Sequence, residues 1–262
     1  MNDVTEKITT LKKERNAVIL AHNYQRPEVQ EIADIHGDSL GLSRRAAELD
    51  ADVIVFCGVW FMAETAAILC PEKTVLIPEP QSICPMARMV GPEQITGLRE
   101  KHPDAPVITY INSTAAVKAQ SDICCTSSNA VRIVKQLAAE KIIFTPDRYL
   151  GDYVRKQTGK EVVLTHGFCP THARITPEQI RRAREKYPDA PVIVHPECRP
   201  DVVAMADAAL STSGMSGYAA ENPARDFIVG TETGMIFRLK KENPDKDFHA
   251  VTDKALCPNM KA

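Results

Sequence analysis

Pro92-Glu-Gln-Ile-Thr-Gly-Leu-Arg-Glu-Lys-His-Pro-Asp-Ala-Pro-Val-Ile108 returns further along the chain as Pro177-Glu-Gln-Ile-Arg-Arg-Ala-Arg-Glu-Lys-Tyr-Pro-Asp-Ala-Pro-Val-Ile193. Thirteen of the 17 positions are identical, so the two stretches are copies. Internal repetition at a fixed period is the signature of a chain built from similar units. Three cysteines carry the same rhythm, each followed by proline: Cys84, Cys169 and Cys257. Cys84 and Cys169 are separated by the same interval as Pro92 and Pro177, and Cys257 lies almost the same interval further on. None of the three has a partner at the C-x-x-C spacing of ordinary zinc or redox motifs.

Working outward, a more diverged first unit shares these landmarks. Each unit opens on an apolar strand ending in polar groups: Ala17 to His22 and Tyr24, Val107 to Tyr110 and Asn112, Val192 to His195 and Glu197. One constant interval beyond His22, Tyr110 and His195 come Ser39, Ser127 and Thr212. A Cys-Pro pair then closes each unit, at a near-constant interval beyond these hydroxyls. Helices are expected at Ser39–Glu48, Asn129–Glu140 and Pro177–Lys186, the last capped by Thr176 with proline at its first position. Third strands are expected at Val53–Gly58, Lys141–Pro146 and Asp226–Thr231. Fourth strands are expected at Thr74–Pro78, Glu161–Thr165 and Phe248–Thr252. Continuous apolar strands alternating with helices mean parallel sheets covered on both faces.

The expected fold class is therefore α/β. It comprises three pseudo-symmetric repeats, each a small α/β/α sandwich with a roughly four-stranded parallel sheet, around a central active site. The expected boundaries are 1–87, 88–172 and 173–262, carrying Cys84, Cys169 and Cys257 respectively. Ligands of open parallel sheets sit beyond the carboxyl ends of the strands, and every polar cluster above lies there.

Composition narrows the function. The net charge is −2 with no long basic run, which speaks against a nucleic-acid or anionic-membrane surface. No apolar stretch approaches the ~20 residues of a membrane span. The N-terminus is polar and lacks the apolar core of a secretory signal, so a cytoplasmic location is expected. Thiols stay reduced there, and eight cysteines call for burial or metal. Cys57, Cys70, Cys124 and Cys125 read as core packing, and Cys198 is open between packing and function.

Three thiolates on one centre leave a coordination position for substrate. For zinc that is a catalytic site with water as fourth ligand; for a cubane iron–sulfur cluster it leaves one iron open as a Lewis acid. Spacing does not choose between them. His22, Tyr24, Tyr110, His195 and Glu197, at equivalent strand ends, suit proton transfer or substrate binding. His172, close after Cys169, suits a metal ligand or a proton donor beside the centre. Ser39, Ser127 and Thr212 stand where strand gives way to helix, as N-caps or as binders of a phosphate or carboxylate. A small polyanionic substrate follows from the second alternative.

Taken together and in order, Ile19-Leu-Ala-His-Asn-Tyr-Gln25, Gly37-Asp-Ser-Leu40, Cys84-Pro-Met86, Thr109-Tyr-Ile-Asn-Ser113, Cys125-Thr-Ser-Ser-Asn129, Gly167-Phe-Cys-Pro-Thr-His172, His195-Pro-Glu-Cys198, Ser211-Thr-Ser-Gly-Met215 and Cys257-Pro-Asn-Met260 resemble the quinolinate synthase family over nearly the whole chain. The resemblance implies three pseudo-symmetric α/β domains and a 4Fe–4S cluster on Cys84, Cys169 and Cys257 with one open iron. It implies condensation of iminoaspartate with dihydroxyacetone phosphate to quinolinate, phosphate and water in NAD biosynthesis. Iminoaspartate would come from L-aspartate oxidase or aspartate dehydrogenase. His22, Tyr24, His195, Glu197 and His172 would form the acid–base group, with Tyr24 and Glu197 foremost. Tyr110, Asn112, Ser39, Ser127 and Thr212 would bind substrate together with His22, His195 and Glu197. Family members usually continue beyond the third Cys-Pro, and that further segment is expected to cover the cluster mouth. The competing readings are a zinc hydrolase or lyase with a three-cysteine site, and a non-catalytic phosphometabolite-binding protein with structural cysteines.

Overall fold

The computed structural model describes residues 3–262. They hold three four-stranded sheets, all parallel. The first has the order β2-β1-β3-β4, with β1 Ala17–His22, β2 Ile35–Gly37, β3 Val53–Cys57 and β4 Thr74–Leu76. The second repeats it as β6-β5-β7-β8, with β5 Val107–Tyr110, β6 Ile123–Cys125, β7 Lys141–Thr145 and β8 Glu161–Leu164. The third repeats it again as β10-β9-β11-β12, with β9 Val192–Val194, β10 Ala208–Ala209, β11 Asp226–Gly230 and β12 Asp247–Ala250. Helices flank each sheet. The chain gathers into two compact units. One holds the residues up to Cys84 together with Pro258–Ala262, and the other holds Pro85–Cys257 and thus two sheets.

The central strands explain their own sequence. All of β5 and β9 is buried, because helices cover both faces of a parallel sheet; the polar groups there, the hydroxyls of Thr109 and Tyr110, are bonded to Ser121 and Glu197. Two expected helices have the expected bounds, Ser39–Glu48 and Pro177–Lys186. Thr176 caps the second in a reciprocal box: its hydroxyl accepts from the Gln179 N–H at 3.4 Å, and Gln179 Oε1 accepts from the Thr176 N–H at 2.9 Å. The helix expected at Asn129–Glu140 is shorter, Ala130–Gln136, because Leu137 turns extended. The fourth strands are shorter than expected at their carboxyl ends. Among the described residues no helix is long and apolar enough to cross a membrane.

Side-chain clamps repeat with the sheets. Asp34, Asp122 and Asp207 each accept the backbone N–H of a residue in a first strand, from Ile19 at 2.8 Å, Val107 at 2.7 Å and Val192 at 2.7 Å. Each also pairs with a base from an earlier helix: Lys12, Arg99 and Arg184 respectively. Lys73, Lys160 and Lys246, close before the fourth strands or at the turn into them, donate to the carbonyls of Ala46, Ala139 and Asn222, which lie where the chain leaves a helix.

The Asp clamp gives a pH-dependent prediction. Partial burial acts to raise the Asp122 pKa, but the Val107 N–H and the Arg99 guanidinium outweigh it and hold the carboxyl below its ordinary value. A depressed folded-state pKa contributes stability above the unfolded value, and that contribution is lost as pH falls through the folded value. Asp122→Asn is expected to lower Tm at neutral pH, by an amount worth less than about 1 kcal/mol because the side chain is 42% exposed and screened. The gap to wild type should close below pH ~4. Thermal melts at pH 7 and pH 3 check both halves.

Candidate active site

The strand order places the divergence point of each sheet between its first and third strands, the usual crevice for ligands. His22 and Tyr110 are the last residues of β1 and β5, and His195 follows β9 directly. The Cys-Pro loops begin from the third strands in one shared way. Just beyond β3, β7 and β11, the N–H groups of Trp60, Arg148 and Thr233 donate to the carbonyls of Ser82, Gly167 and Ala255, at 2.7, 2.8 and 3.0 Å. Each acceptor lies two residues before a cysteine: Cys84, Cys169 and Cys257. Gly167 is required there, since a Cβ would come within 2.5 Å of the Pro146 carbonyl oxygen. Each cysteine then leads into a single helical turn, at Met86–Arg88, Pro170–Ala173 and Asn259–Lys261. That accounts for the proline: its fixed φ and missing N–H suit the start of a helix.

The cysteines divide by burial. Cys84, Cys169 and Cys257 are half-buried, whereas Cys57, Cys70, Cys125 and Cys198 are buried. Cys124 is exposed, which corrects its reading as core: it sits on β6, a short edge strand that shows one face outward. No disulfide joins any of the eight among the described residues. Burial pushes the Cys57 thiol up to about 11 and raises Cys125 and Cys198 further, so these stay protonated and inert. Cys198 lies beside the Gly230 carbonyl and resolves to packing.

Inside the second unit, Glu197 is the hub. Its Oε1 accepts from the Tyr110 hydroxyl at 2.5 Å and from Asn112 Nδ2 at 3.4 Å. Its Oε2 lies 2.7 Å from His172 Nδ1 and 3.8 Å from His195 Nδ1. The two imidazoles stack with centroids 4.8 Å apart. His172 Nδ1 also lies 3.1 Å from the Cys169 sulfur, and its Nε2 lies 2.8 Å from the Thr231 hydroxyl. Burial alone would raise the Glu197 pKa. The neighbouring His172 and His195, with hydrogen bonds from His172 and Tyr110, more than reverse this and hold it well below the carboxylate range. Glu197 is thus ionised and can only accept, so His172 Nδ1 donates.

His195 and His22 adopt the same local turn. The Glu197 N–H donates to His195 Nδ1 at 3.2 Å, and the Tyr24 N–H donates to His22 Nδ1 at 3.1 Å. Each neutral ring therefore carries its proton on Nε2. In the first unit the Tyr24 ring meets His22 edge-on at 4.7 Å.

The hydroxyl positions separate from capping. Asp38 caps the helix that begins at Ser39, and Ser211 caps the one that begins at Thr212. Ser127 lies ahead of Asn129, whose side chain accepts from the Thr126 N–H. Among the described residues, Thr212 Oγ1 and Asn112 Oδ1 are buried without a hydrogen-bond partner, as groups awaiting a polar ligand would be.

Three residues were missed from sequence: Thr231, Glu232 and Asp147. Asp147 and Glu232 are separated by the repeat's own interval, that of Pro92 to Pro177, which is the signal that could have found them. Asp147 is fully buried and caps the helix Arg148–Thr158 through the N–H groups of Tyr149 and Leu150. Burial, reinforced by the charge on Glu197, raises its pKa well above the carboxylate range against those N–H groups and that of Cys169.

Ligand atoms of Cys169, His172 and Glu197 all lie within 4.8 Å of one another, a donor set zinc also accepts. Cys84, Cys169 and Cys257 are each half-buried at the head of matching loops, the partial exposure that a metal-binding thiol needs. Fold and site together define a repeated α/β protein with a buried acid–base network around one of its metal-competent cysteines. Residues 6–262 match the model of the quinolinate synthetase A protein (NadA) family. The chain is 57% identical over 258 residues to a quinolinate synthase of Dehalococcoides mccartyi strain CBDB1, covering 98% of this chain and 85% of that protein. It is 56% identical over 260 residues to one of Geotalea uraniireducens, covering 99% and 86%. It is 54% identical over 259 residues to quinolinate synthase 1 of Methanosarcina acetivorans, covering 99% and 85%. The chain belongs to the quinolinate synthase family.

Proposed function

We propose that the protein is a cytoplasmic quinolinate synthase. It condenses iminoaspartate with dihydroxyacetone phosphate and releases phosphate and water, in the biosynthesis of NAD. Iminoaspartate would reach it from L-aspartate oxidase or aspartate dehydrogenase. Three repeats, 1–87, 88–172 and 173–262, each supply one ligand to a 4Fe–4S cluster: Cys84, Cys169 and Cys257. When bound, the cluster supplies an open iron as a Lewis acid for a substrate oxygen.

The observation that carries this reading is the ionised, buried Glu197 beside Cys169, in a chain so like the named synthases. Condensation and dehydration need protons taken from carbon and nitrogen and given to departing oxygen. Glu197 takes part in the proton steps as the ionised acceptor that orients its donors, and the Tyr110 hydroxyl bonded to it can relay a proton. His22 and His195 carry their protons on Nε2 and donate hydrogen bonds to substrate oxygens through them, and His172 donates beside Cys169. Tyr24 works with His22 in the proton steps. Asn112 and Thr212 offer their buried, unpartnered oxygens to the substrate, and the hydroxyls of Ser39 and Ser127 bind its phosphate or carboxylates. Low-dielectric surroundings strengthen each of these contacts.

An anaerobic assay with iminoaspartate generated in situ and dihydroxyacetone phosphate tests the proposal. Quinolinate and phosphate should appear in equal amounts. Phosphate release without quinolinate, or neither product from iron-loaded protein, would overturn it.

A further inference from the structure

Cys257 is gripped from behind by a buried acid. Glu232, 1% exposed, accepts the Cys257 backbone N–H through Oε1 at 3.1 Å and the Gly234 N–H through Oε2 at 2.7 Å. It therefore ties the cysteine loop to the start of the helix Gly234–Glu242. Asp147 stands at the matching place one repeat earlier. Its Oδ1 holds the N–H groups of Tyr149 and Leu150 at 2.8 and 2.9 Å. The Cys169 N–H adds a weaker favourable contact, and Oδ2 has no close partner. The first unit does this differently. By the same register its matching residue is Val59, which makes no side-chain cap. There Ser82 steadies the loop, donating to the carbonyls of Gly58 and Asn259 at 2.8 and 2.5 Å.

A buried carboxylate is costly, and it persists where its bonds fix something. Helix capping alone needs no acid placed to reach a cysteine beyond the far end of that helix and the strand after it. Glu232 spends one of its two oxygens on the cysteine backbone. That holds the Cys257 backbone in place, and with it the base from which the sulfur projects.

We propose that Glu232 is a positioning residue for the metal-holding Cys257, setting both how firmly iron is kept and the potential of the centre. This rests on the cluster reading above. Residues that orient metal ligands are typically worth about 10- to 100-fold in metal affinity. A carboxylate close to a ligand also disfavours the reduced, more negative cluster, so removing its charge raises the potential.

The test uses the anaerobically loaded enzyme and Glu232→Gln, which keeps the size and one oxygen acceptor. An iron chelator should strip the variant about 10- to 100-fold faster than wild type, and the midpoint potential should rise. Unchanged stripping, or faster stripping with an unmoved potential (the mark of a merely loosened loop), overturns the proposal. If Glu232→Gln fails to fold, Glu232→Asp carries the test: it keeps the charge and draws the acceptor back by one methylene. Faster stripping of that variant supports the proposal, and wild-type stripping overturns it. A wild-type protein that takes up no iron overturns the cluster reading and this proposal together, whereas a loaded wild type with an indifferent Glu232 overturns this proposal alone.

Discussion

Glu197→Gln is expected to lower kcat for quinolinate formation by about 10²- to 10⁴-fold, the usual worth of a positioned proton-transfer group. The amide matches the carboxylate in size, so the core around it is kept. It cannot take a proton, and it removes the charge that faces His172 and His195 in a buried setting. It also changes the bonding of Tyr110, whose hydroxyl now donates to Glu197 at 2.5 Å. The loss should fall on kcat far more than on iron content, because Cys169 and its loop are untouched. Steady-state kinetics beside iron analysis checks this; a variant with wild-type kcat would remove Glu197 from the proton steps.

The second large effect is on metal. Cys84→Ser, Cys169→Ser and Cys257→Ser are each expected to reduce bound iron from about four per chain to a small residue, and to abolish turnover. Serine keeps the shape but not the soft thiolate that iron–sulfur clusters need. Cys198→Ser is the control. Its thiol is fully buried, held protonated and bonded to a carbonyl, so iron should be retained. Iron loss in Cys198→Ser together with retention in Cys169→Ser would reassign the ligands.

Much of this was legible because the chain says the same thing more than once. The copied stretch at Pro92 and Pro177 and the recurring Cys-Pro pointed to repetition, and three like sheets are present. The buried first and third strands carry unbroken apolar runs. The second strands, β2, β6 and β10, are edges of two or three residues, too short for any periodicity to announce them. Tyr110, Asn112, His172, His195 and Glu197 were expected at a site, and the second unit brings them together. That Glu197 is its hub was not legible, since pairing across two sheets is not written in local sequence. Asp147, Thr231 and Glu232 escaped for a related reason. An acid or a threonine at a strand end reads as solvated, and only the fold reveals that it is buried. Cys124 was misjudged because an apolar strand at an edge buries only part of its residues.

The measurement to make first is iron and acid-labile sulfide per chain on anaerobically purified protein, beside its visible spectrum. About four of each, with a broad brown absorbance, is the predicted result. Stoichiometric zinc without sulfide, held by the Cys169, His172 and Glu197 donor set, would contradict it.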